Sequence, residues 1–323
     1  MKGFVLLSTL LISLSALGDG VILVTKGDND IFTNASHSSK GQPPRVFFQG
    51  MHYTAVKAKI GLKVKSGDIV KTENKGQVRL GFITGDSINV GPASALVLDL
   101  SHLNKNKSKD KSGLAPTLNL IYGKFRAVIS KKSPMKNTQI KTRAATAGVR
   151  GTDFYVAYNP SEGDMLTTVF RGAVEVIQEI DNKPLTTMVN PGFTLAAKEK
   201  EAKEAPQLKE STKSEIQEIH EFSNVALTKK EFNALPKEER LIVQKTEKAC
   251  QKAVFEDIKA TNPELAEAII KGKNTSLRAM NALTLQKVFK TAPGTINKKK
   301  GKLSEDEMED IIKKDVYQEY TEE

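Results

Sequence analysis

The sequence predicts a mainly β N-terminal domain followed by an α-helical C-terminal region. Between residues 21 and 197, short apolar alternations are separated by Gly, Asn, Asp and Pro, which is typical of an all-β fold. Beyond residue 213, signals for helix starts recur. The intervening segment is rich in Lys, Glu and Ala and contains Pro206, which indicates a linker that is part helix and part coil. The predicted units are a signal peptide at 1–18, a β domain at 19–197, a linker at 198–213 and a helical region at 214–323.

The N-terminal residues have the composition of a secretory signal peptide. Lys2 is followed by an apolar run at 4–17, and Ala16 and Gly18 provide small residues for a cut before Asp19. The run is shorter than the ~20 apolar residues of a membrane-spanning helix. A buried N-terminal strand or helix is the alternative. The prediction is a Sec-type signal peptide cleaved near Gly18, and a periplasmic or secreted protein.

The strands of the β domain are predicted from runs in which every second residue is apolar, because a strand then presents one apolar face. A segment at 104–113 has no apolar residue and a dense positive charge, so we expect a mobile surface loop there. An electrostatic contact arm is the alternative for that loop. The predicted strands are 20–24, 69–72, 78–82, 88–90, 96–100, 118–122, 125–129, 139–142, 154–158, 167–170 and 173–177.

The helical region is predicted from capping signals and apolar stripes. Thr228 with Glu231, and Ser304 with Glu307, have the spacing of a capping box. Asn262 precedes a proline, which is favoured at the first position of a helix. The segment 292–302 contains Gly294 and three consecutive lysines, and indicates a flexible hinge. The predicted helices are 214–224, 228–234, 237–259, 263–271, 276–290 and 304–320.

The net charge of +11 is unevenly distributed along the chain. Residues 198–323 contain 24 basic and 24 acidic residues, so the 25 basic and 14 acidic residues of 1–197 account for the whole excess. A basic exported domain is attracted to anionic surfaces such as phospholipid headgroups or acidic polysaccharide. Simple solubility is an equally good explanation. Nucleic acid is not an expected partner, because an exported protein meets little of it.

The sequence contains no recognisable catalytic, cofactor or metal motif. The four histidines are scattered without the spacing of a zinc site, and no phosphate loop, dinucleotide fingerprint or nucleophile elbow is present. Asp86, Asp153 and Glu175 could pair as glycosidase carboxylates, although turn chemistry also accounts for Asp86. The single Cys250 excludes an intrachain disulfide, and a small apolar role on a helix face is favoured over a reactive one. We therefore predict no enzyme activity, no cofactor and no metal.

The most informative segment is 147–156, Ala-Gly-Val-Arg-Gly-Thr-Asp-Phe-Tyr-Val, in which a loop with two glycines leads into a strand. Glycine at both positions suggests backbone angles that a Cβ would forbid. Arg150 is the one residue in the loop that looks available for binding, and a salt bridge or an exposed turn position is the alternative. Further glycine turns follow at 172 and 192.

With three other segments in order, this segment resembles the FecR domain of bacterial envelope proteins. The others are Gly-Asp-Ile-Val-Lys-Thr at 67–72, the strand–turn–strand at 78–94 with Gly-Asp-Ser in place of Asp-Gly-Ser, and Leu-Ile-Tyr-Gly-Lys-Phe-Arg-Ala at 120–127. The resemblance covers about 21–197 and implies a compact sandwich or a short β-roll without an active site. The structural family motif consists of Gly148, Arg150, Gly151, Thr152, Phe154, Gly172 and Gly192.

In the best-known FecR proteins, the domain lies in the periplasm and relays a signal from an outer-membrane transporter to a sigma factor. The relay uses a membrane helix and a Trp-rich cytoplasmic segment. Here only residues 1–3 precede the apolar run and Trp is absent, so a direct anti-sigma role is not expected.

The leading hypothesis is a non-enzymatic exported envelope protein whose FecR-like domain binds or scaffolds another envelope protein. One alternative is a component of a FecR-type signalling pathway, in sigma factor regulation, that lacks its own cytoplasmic anti-sigma segment. The other alternative is an envelope polysaccharide-binding protein. An anionic envelope polymer or lipid surface is the second class of expected partner.

Overall fold

The computed structural model describes residues 20–34, 45–100, 115–200 and 203–271, together with Met280. The predicted signal peptide, the loop at 104–113, the hinge at 292–302 and the helix at 304–320 lie outside the described residues. The helix predicted at 276–290 lies outside them except for Met280. Within the described ranges, no helix is long and apolar enough to cross a membrane.

Two β-sheets face each other and share one strand. All neighbouring strands pair antiparallel except β10 and β11, which run parallel. Sheet A has the order β5-β1-β7-β8-β10-β13-β14-β17-β18, and sheet B the order β3-β4-β2-β6-β9-β10-β11-β12-β15-β16. The described strands are β1 Gly20–Lys26, β2 Asn29–Asn34, β3 Arg45–Phe48, β4 Met51–Lys57, β5 Lys63–Val64, β6 Ile69–Thr72, β7 Gln77–Phe82, β8 Ser87–Val90, β9 Ser94–Asp99, β10 Thr117–Val128, β11 Gln139–Lys141, β12 Thr146–Val149, β13 Asp153–Asn159, β14 Asp164–Arg171, β15 Val174–Ile180, β16 Lys183–Val189, β17 Phe193–Lys198 and β18 Gln207–Glu210.

Strand β10 joins the two sheets by passing from one to the other at Gly123. Its first half pairs with β9 in sheet B, and its second half pairs with β8 and β13 in sheet A. Gly123 has φ +91°, and a Cβ there would lie 2.4 Å from the carbonyl oxygen of Ala93. The two strands predicted at 118–122 and 125–129 are therefore one strand, bent where only glycine fits.

The space between the sheets is filled by the predicted apolar alternations. Phe125 and Phe154 meet edge to face at its centre, with ring centroids 6.0 Å apart. Strand β1 differs because both of its faces are buried: Ile22 lies in this core, while Val21, Leu23 and Val24 contact the helical region. This double burial explains why β1 is a continuous apolar run rather than an alternation.

The helical region begins with four helices close to the predicted ones. They are α1 Lys213–Ser223, α2 Lys229–Ala234, α3 Lys237–Thr261 and α4 Pro263–Lys271. The predicted capping box of Thr228 and Glu231 is present, and a second box of Thr212 and Glu215 starts α1. The mainly β fold followed by a helical region is confirmed.

Eight described strands were not predicted from the sequence: β2, β3, β4, β5, β12, β16, β17 and β18. Several are edge or short strands with few buried residues, so they lack the alternation that identifies a strand. Strand β18 lies inside the segment predicted as a part-helical, part-coil linker, and it pairs with β17 at the edge of sheet A. That secondary-structure prediction is wrong, while the division of the chain into domains stays a prediction.

The helices cover the outer face of sheet A. Ile216, Ile219 and Phe222 of α1 pack on Tyr155 and Phe170. Val243 of α3 packs on β1, and Cys250, Val254 and Ile258 of α3 pack on Val128. The β domain and the described helices therefore form one packed body.

A buried ion pair lies beneath α1. The Arg126 guanidinium donates to both carboxylate oxygens of Asp153, from Nε at 2.9 Å and from Nη2 at 2.8 Å. A third nitrogen donates to the Ser223 hydroxyl at 3.0 Å, and the guanidinium lies 4.6 Å above the Phe170 ring. Arg126 is 1% exposed and Asp153 2%, so neither charge has water as an alternative partner.

Removing one member of this pair is expected to cost more than removing both. Asp153→Ala leaves the Arg126 charge buried without its carboxylate, so the free energy of unfolding should fall by about 3–5 kcal/mol. Arg126→Leu combined with Asp153→Leu removes both charges, so the free energy of unfolding should fall by less than it does in Asp153→Ala. Urea unfolding monitored by circular dichroism measures both. A double variant that is less stable than Asp153→Ala would contradict this account of the pair.

Candidate functional site

The loop of the predicted family motif forms one end of the sandwich. Gly151 has φ +67°, and a Cβ on it would lie 2.6 Å from the Cα of Lys131. Gly148 differs, because it lies within β12 without a left-handed φ, and the nearest atom to a built Cβ is 3.8 Å away. The inference that both glycines are conformationally required is therefore right for Gly151 and wrong for Gly148.

The other motif residues are structural, with one exception. Thr152 and Phe154 are fully buried, and Gly172 and Gly192 have φ +82° and +88° in the turns after β14 and β16. Arg150 is the exception, because it is exposed and has no ion-pair partner among the described residues. The loop thus presents one free cation on a rigid base.

The three carboxylates considered as a glycosidase pair have separate roles. Asp153 is held by Arg126, and Glu175 is exposed on the outer face of sheet B. Asp86 is fully buried and accepts hydrogen bonds from the Ser130 amide and from the Thr84 and Ser133 hydroxyls. Burial raises the pKa of Asp86. Its partners lie across the fold as well as in its own turn, so turn chemistry explains Asp86 only in part.

Cys250 lies on the face of α3 that contacts the Gly85–Asp86 turn. The thiol is fully buried 3.2 Å from the carbonyl oxygen of Asp86, and burial raises its pKa to about 12. A Cβ on Gly85 would come within 2.3 Å of the Ala253 Cβ, so the turn and the helix are in close contact. Cys250 therefore has the packing role expected from the sequence, and its thiol is protonated at neutral pH.

The described ion pairs between the sandwich and the helical region all have the same arrangement of charges. In each of the five described pairs, the cation belongs to the sandwich and the carboxylate to a helix. Four of the five cations lie in residues 1–197, which contain the basic excess of the sequence. The pairs are Lys26–Glu231 at 2.6 Å, Arg79–Glu247 at 3.2 Å, Lys124–Glu218 at 3.5 Å, Arg171–Asp257 at 3.6 Å and Lys209–Glu215 at 2.6 Å.

No group of three or more His, Cys, Asp or Glu side chains suited to a metal ion occurs among the described residues. The candidate functional site is therefore sought on surfaces that the helices leave uncovered. The outer face of sheet B is a surface of this kind, and it contains a cluster of aromatic residues.

An aromatic cluster lies on the outer face of sheet B, and we call it the aromatic face. Phe32 lies edge-on to Phe48, with centroids 5.6 Å apart, and Tyr53 stacks on it at 6.3 Å. Tyr122 contacts Phe48 at 6.5 Å. The preceding residue Ile31 points into the core, so Phe32 points outward. No residue of the four helices belongs to this cluster.

A hairpin at the edge of the aromatic face exposes two large apolar side chains. Strands β3 and β4 are joined by Gln49 and Gly50, both with positive φ, which is a tight two-residue turn. Phe47 is 67% exposed and Met51 is 55% exposed on its two sides. Phe47 and Met51, with the neighbouring His52, form the hairpin tip. Sequence reasoning missed it, although Phe47, Phe48 and Met51 on either side of Gln-Gly were a usable hairpin signal.

The architecture is that of a two-sheet β-sandwich with a docked helical cover. Residues 68–175 match the family model for the FecR protein. The match spans 108 of the 323 residues, and over these residues it confirms the resemblance seen in the sequence. The match runs from the turn before β6 to the start of β15 and includes the motif loop.

Comparison with solved structures gives two crystal structures of a candidate anti-sigma factor from Parabacteroides distasonis ATCC 8503, at 1.65 and 2.50 Å resolution. They are 13% and 12% identical to this chain, with a TM-score of 0.35 each. The alignments cover 46% of this chain and 62% of the other, so this chain spans less than two thirds of that protein. At this level the likeness does not establish a shared function. No curated protein matches the chain.

The motif loop gives a direct test of which glycine is structurally required. Gly151→Ala places a Cβ against the backbone of Lys131 at positive φ, and should lower the free energy of unfolding by at least about 2 kcal/mol. Gly148→Ala is the matched control, since β12 has room for a methyl group, and its change should stay below about 1 kcal/mol. Thermal and urea unfolding measure both variants. Equal losses would show that the loop geometry is described incorrectly.

Proposed function

We propose that the protein is a non-enzymatic, exported envelope protein whose FecR domain binds another protein through the hairpin tip and the aromatic face. The observation that carries this proposal is the pair of exposed side chains, Phe47 and Met51, on a tight hairpin beside the aromatic face, where Phe48 and Tyr122 are half-buried. Aromatic residues and Met are enriched in protein interfaces.

The geometry favours a protein partner for two reasons. The outer face of sheet A is already covered by α1 and α3, whereas none of the four described helices contributes a residue to the aromatic face of sheet B. The short turn and the ring contacts hold the hairpin in one conformation, so binding costs little ordering entropy.

The non-enzymatic part of the proposal is supported by the roles of the titratable groups. Asp153 forms an ion pair with Arg126, and Asp86 accepts hydrogen bonds from three donors. Cys250 packs between α3 and the turn at Asp86. Each of these groups is buried and explained by its contacts, so none is in position to act on a substrate.

Export is supported by the position of the first strand. β1 begins at Gly20, so cleavage before Asp19 would leave the sandwich intact. In cell fractionation, the mature protein is expected in the envelope or the medium, with an N-terminus at Asp19 by mass spectrometry. Recovery from the cytoplasm with residues 1–18 attached would count against export.

Signalling of the FecR type is the second candidate, favoured by the family match over 68–175. The protein would then pass a signal by contact with a membrane protein that carries it inward. A sigma factor or TonB-type receptor gene beside its own gene, and a change in that sigma factor's target transcripts on deletion, would favour this candidate. Unchanged transcripts would contradict the signalling role and would leave the binding role as the proposed function.

The partner is sought by photo-crosslinking in the cells that make the protein. A photoreactive phenylalanine analogue at position 47 is expected to give a discrete crosslinked protein band, identified by mass spectrometry. Adding Met51→Ser should reduce the yield severalfold, because the hairpin tip loses its second apolar contact.

The matched control is the same analogue at Leu241, which is 61% exposed on α3 and therefore similar in exposure and polarity. A band from position 47 that is absent from position 241 supports the proposal. Bands that are the same at both positions, or no band from 47, would contradict an interface at the hairpin tip.

A further inference from the structure

We infer that a cluster of unpaired cations at one end of the sandwich binds the acidic C-terminal segment of the same chain, residues 304–323. We call the cluster the basic end, and it consists of Lys131, Lys132, Lys136 and Arg150. This inference does not depend on the proposed protein interface at the hairpin tip.

Three neighbouring segments place these cations together. Lys131 and Lys132 follow the end of β10, Lys136 lies on a single 3₁₀ turn at Pro134–Asn137, and Arg150 follows β12. Backbone hydrogen bonds join the segments: Ile129 donates to Thr152 at 2.8 Å, and Val149 donates to Thr138 at 3.0 Å. Close contact between Gly151 and Lys131 fixes the loop of Arg150 against the first segment.

The four cations have no ion-pair partner among the described residues. All four side chains are exposed, whereas the cations on the outer face of sheet A are matched by helix carboxylates. Two carboxylates do reach this end: Asp257 accepts from the Lys131 backbone amide at 3.3 Å, and buried Asp86 accepts from the Ser130 amide and the Ser133 hydroxyl. The charge of Asp257 is offset by Arg171, so the four exposed cations still outnumber the carboxylates and the basic end keeps a positive charge.

The C-terminal segment has the complementary charge. Residues 304–323 contain nine acidic and two basic residues, and five of the six positions from 305 to 310 are Glu or Asp. A dense run of carboxylates facing four cations gives attraction over ~8 Å at physiological salt. Charge complementarity therefore identifies the occupant.

The chain leading to this segment starts close to the basic end. Met280 packs in the cluster that contains Val128, three residues before Lys131. The 23 residues between Met280 and Ser304 can span up to ~80 Å, so Ser304 can reach the basic end. A covalent tether of this length gives an effective concentration on the order of millimolar, which makes weak ion pairs sufficient.

Binding in cis has a consequence for outside partners. Anionic phospholipid headgroups present the same negative charge as the C-terminal segment and would compete for the same cations. Removal of residues 304–323 should therefore raise the binding of the chain to phosphatidylglycerol vesicles severalfold.

The test is carbodiimide crosslinking of the full chain at low salt, which joins carboxylates to lysine amines in direct contact. The acids of 305–310 are expected to crosslink to Lys131, Lys132 and Lys136, as mapped by mass spectrometry. Lys75 and Lys183 are internal controls, because they are exposed, unpaired among the described residues and about 20 Å away at the opposite end. Raising the salt to about 0.5 M should remove the crosslinks.

Charge reversal separates the basic end from general attraction. Lys132→Glu with Arg150→Glu should lower the yield at Lys131 and Lys136 at least fivefold, whereas Lys75→Glu with Lys183→Glu should leave it unchanged. Circular dichroism confirms that both variants are folded. The inference is overturned by crosslinks spread equally over the two ends, by equal losses in both variants, or by vesicle binding that does not change when 304–323 is removed.

Discussion

Burial of charge on the outer face of sheet A is the constraint on which the rest of this structure depends. Arg79, Arg126 and Arg171 lie on that face, and a buried guanidinium is tolerated only with anionic or hydroxyl partners. Two of the three find carboxylates on α3, and Arg126 takes Asp153 from the sheet and Ser223 from α1. The helical region is therefore a structural part of the sandwich, and its position decides which surfaces stay open.

The same constraint organises the charge of the whole chain. The excess of cations in residues 1–197 is partly neutralised wherever the helices contact the sandwich, because their carboxylates face inward to it. Among the described residues, Lys131, Lys132, Lys136 and Arg150 stay unpaired at one end of the sandwich. The hairpin tip and the basic end are thus exposed surfaces beyond the sheet A face that the described helices cover, and they have different chemistry: one is apolar, the other is cationic.

Much of the fold follows from local patterns in the sequence, and the rest from contacts that local patterns do not contain. Alternating residues such as Val78, Leu80 and Phe82 identify strands, and Thr228 with Glu231 identifies a helix start. Strand β16 is not predicted from the sequence because its side chains are mostly exposed and show no apolar alternation. The pairing of Arg126 with Asp153 depends on the register of β10 and β13, so the spacing of the two residues along the chain does not predict it. Gly148 looked like Gly151 because sequence shows the residue type but not φ.

Two glycines of sheet A lie beneath the helices at positions that have no room for a larger residue. Gly81 and Gly91 have ordinary backbone angles, yet a methyl group on Gly81 would lie 2.9 Å from Thr246 of α3, and one on Gly91 would lie 3.2 Å from the Phe222 ring of α1. Side chains within the sandwich, Leu23 and Lys124, crowd the same positions. Glycine at both positions therefore fits the strand packing and the helical cover at the same time. Among FecR-domain sequences, a bulky residue at either site would mark a protein in which both the strand packing and the cover of this face differ.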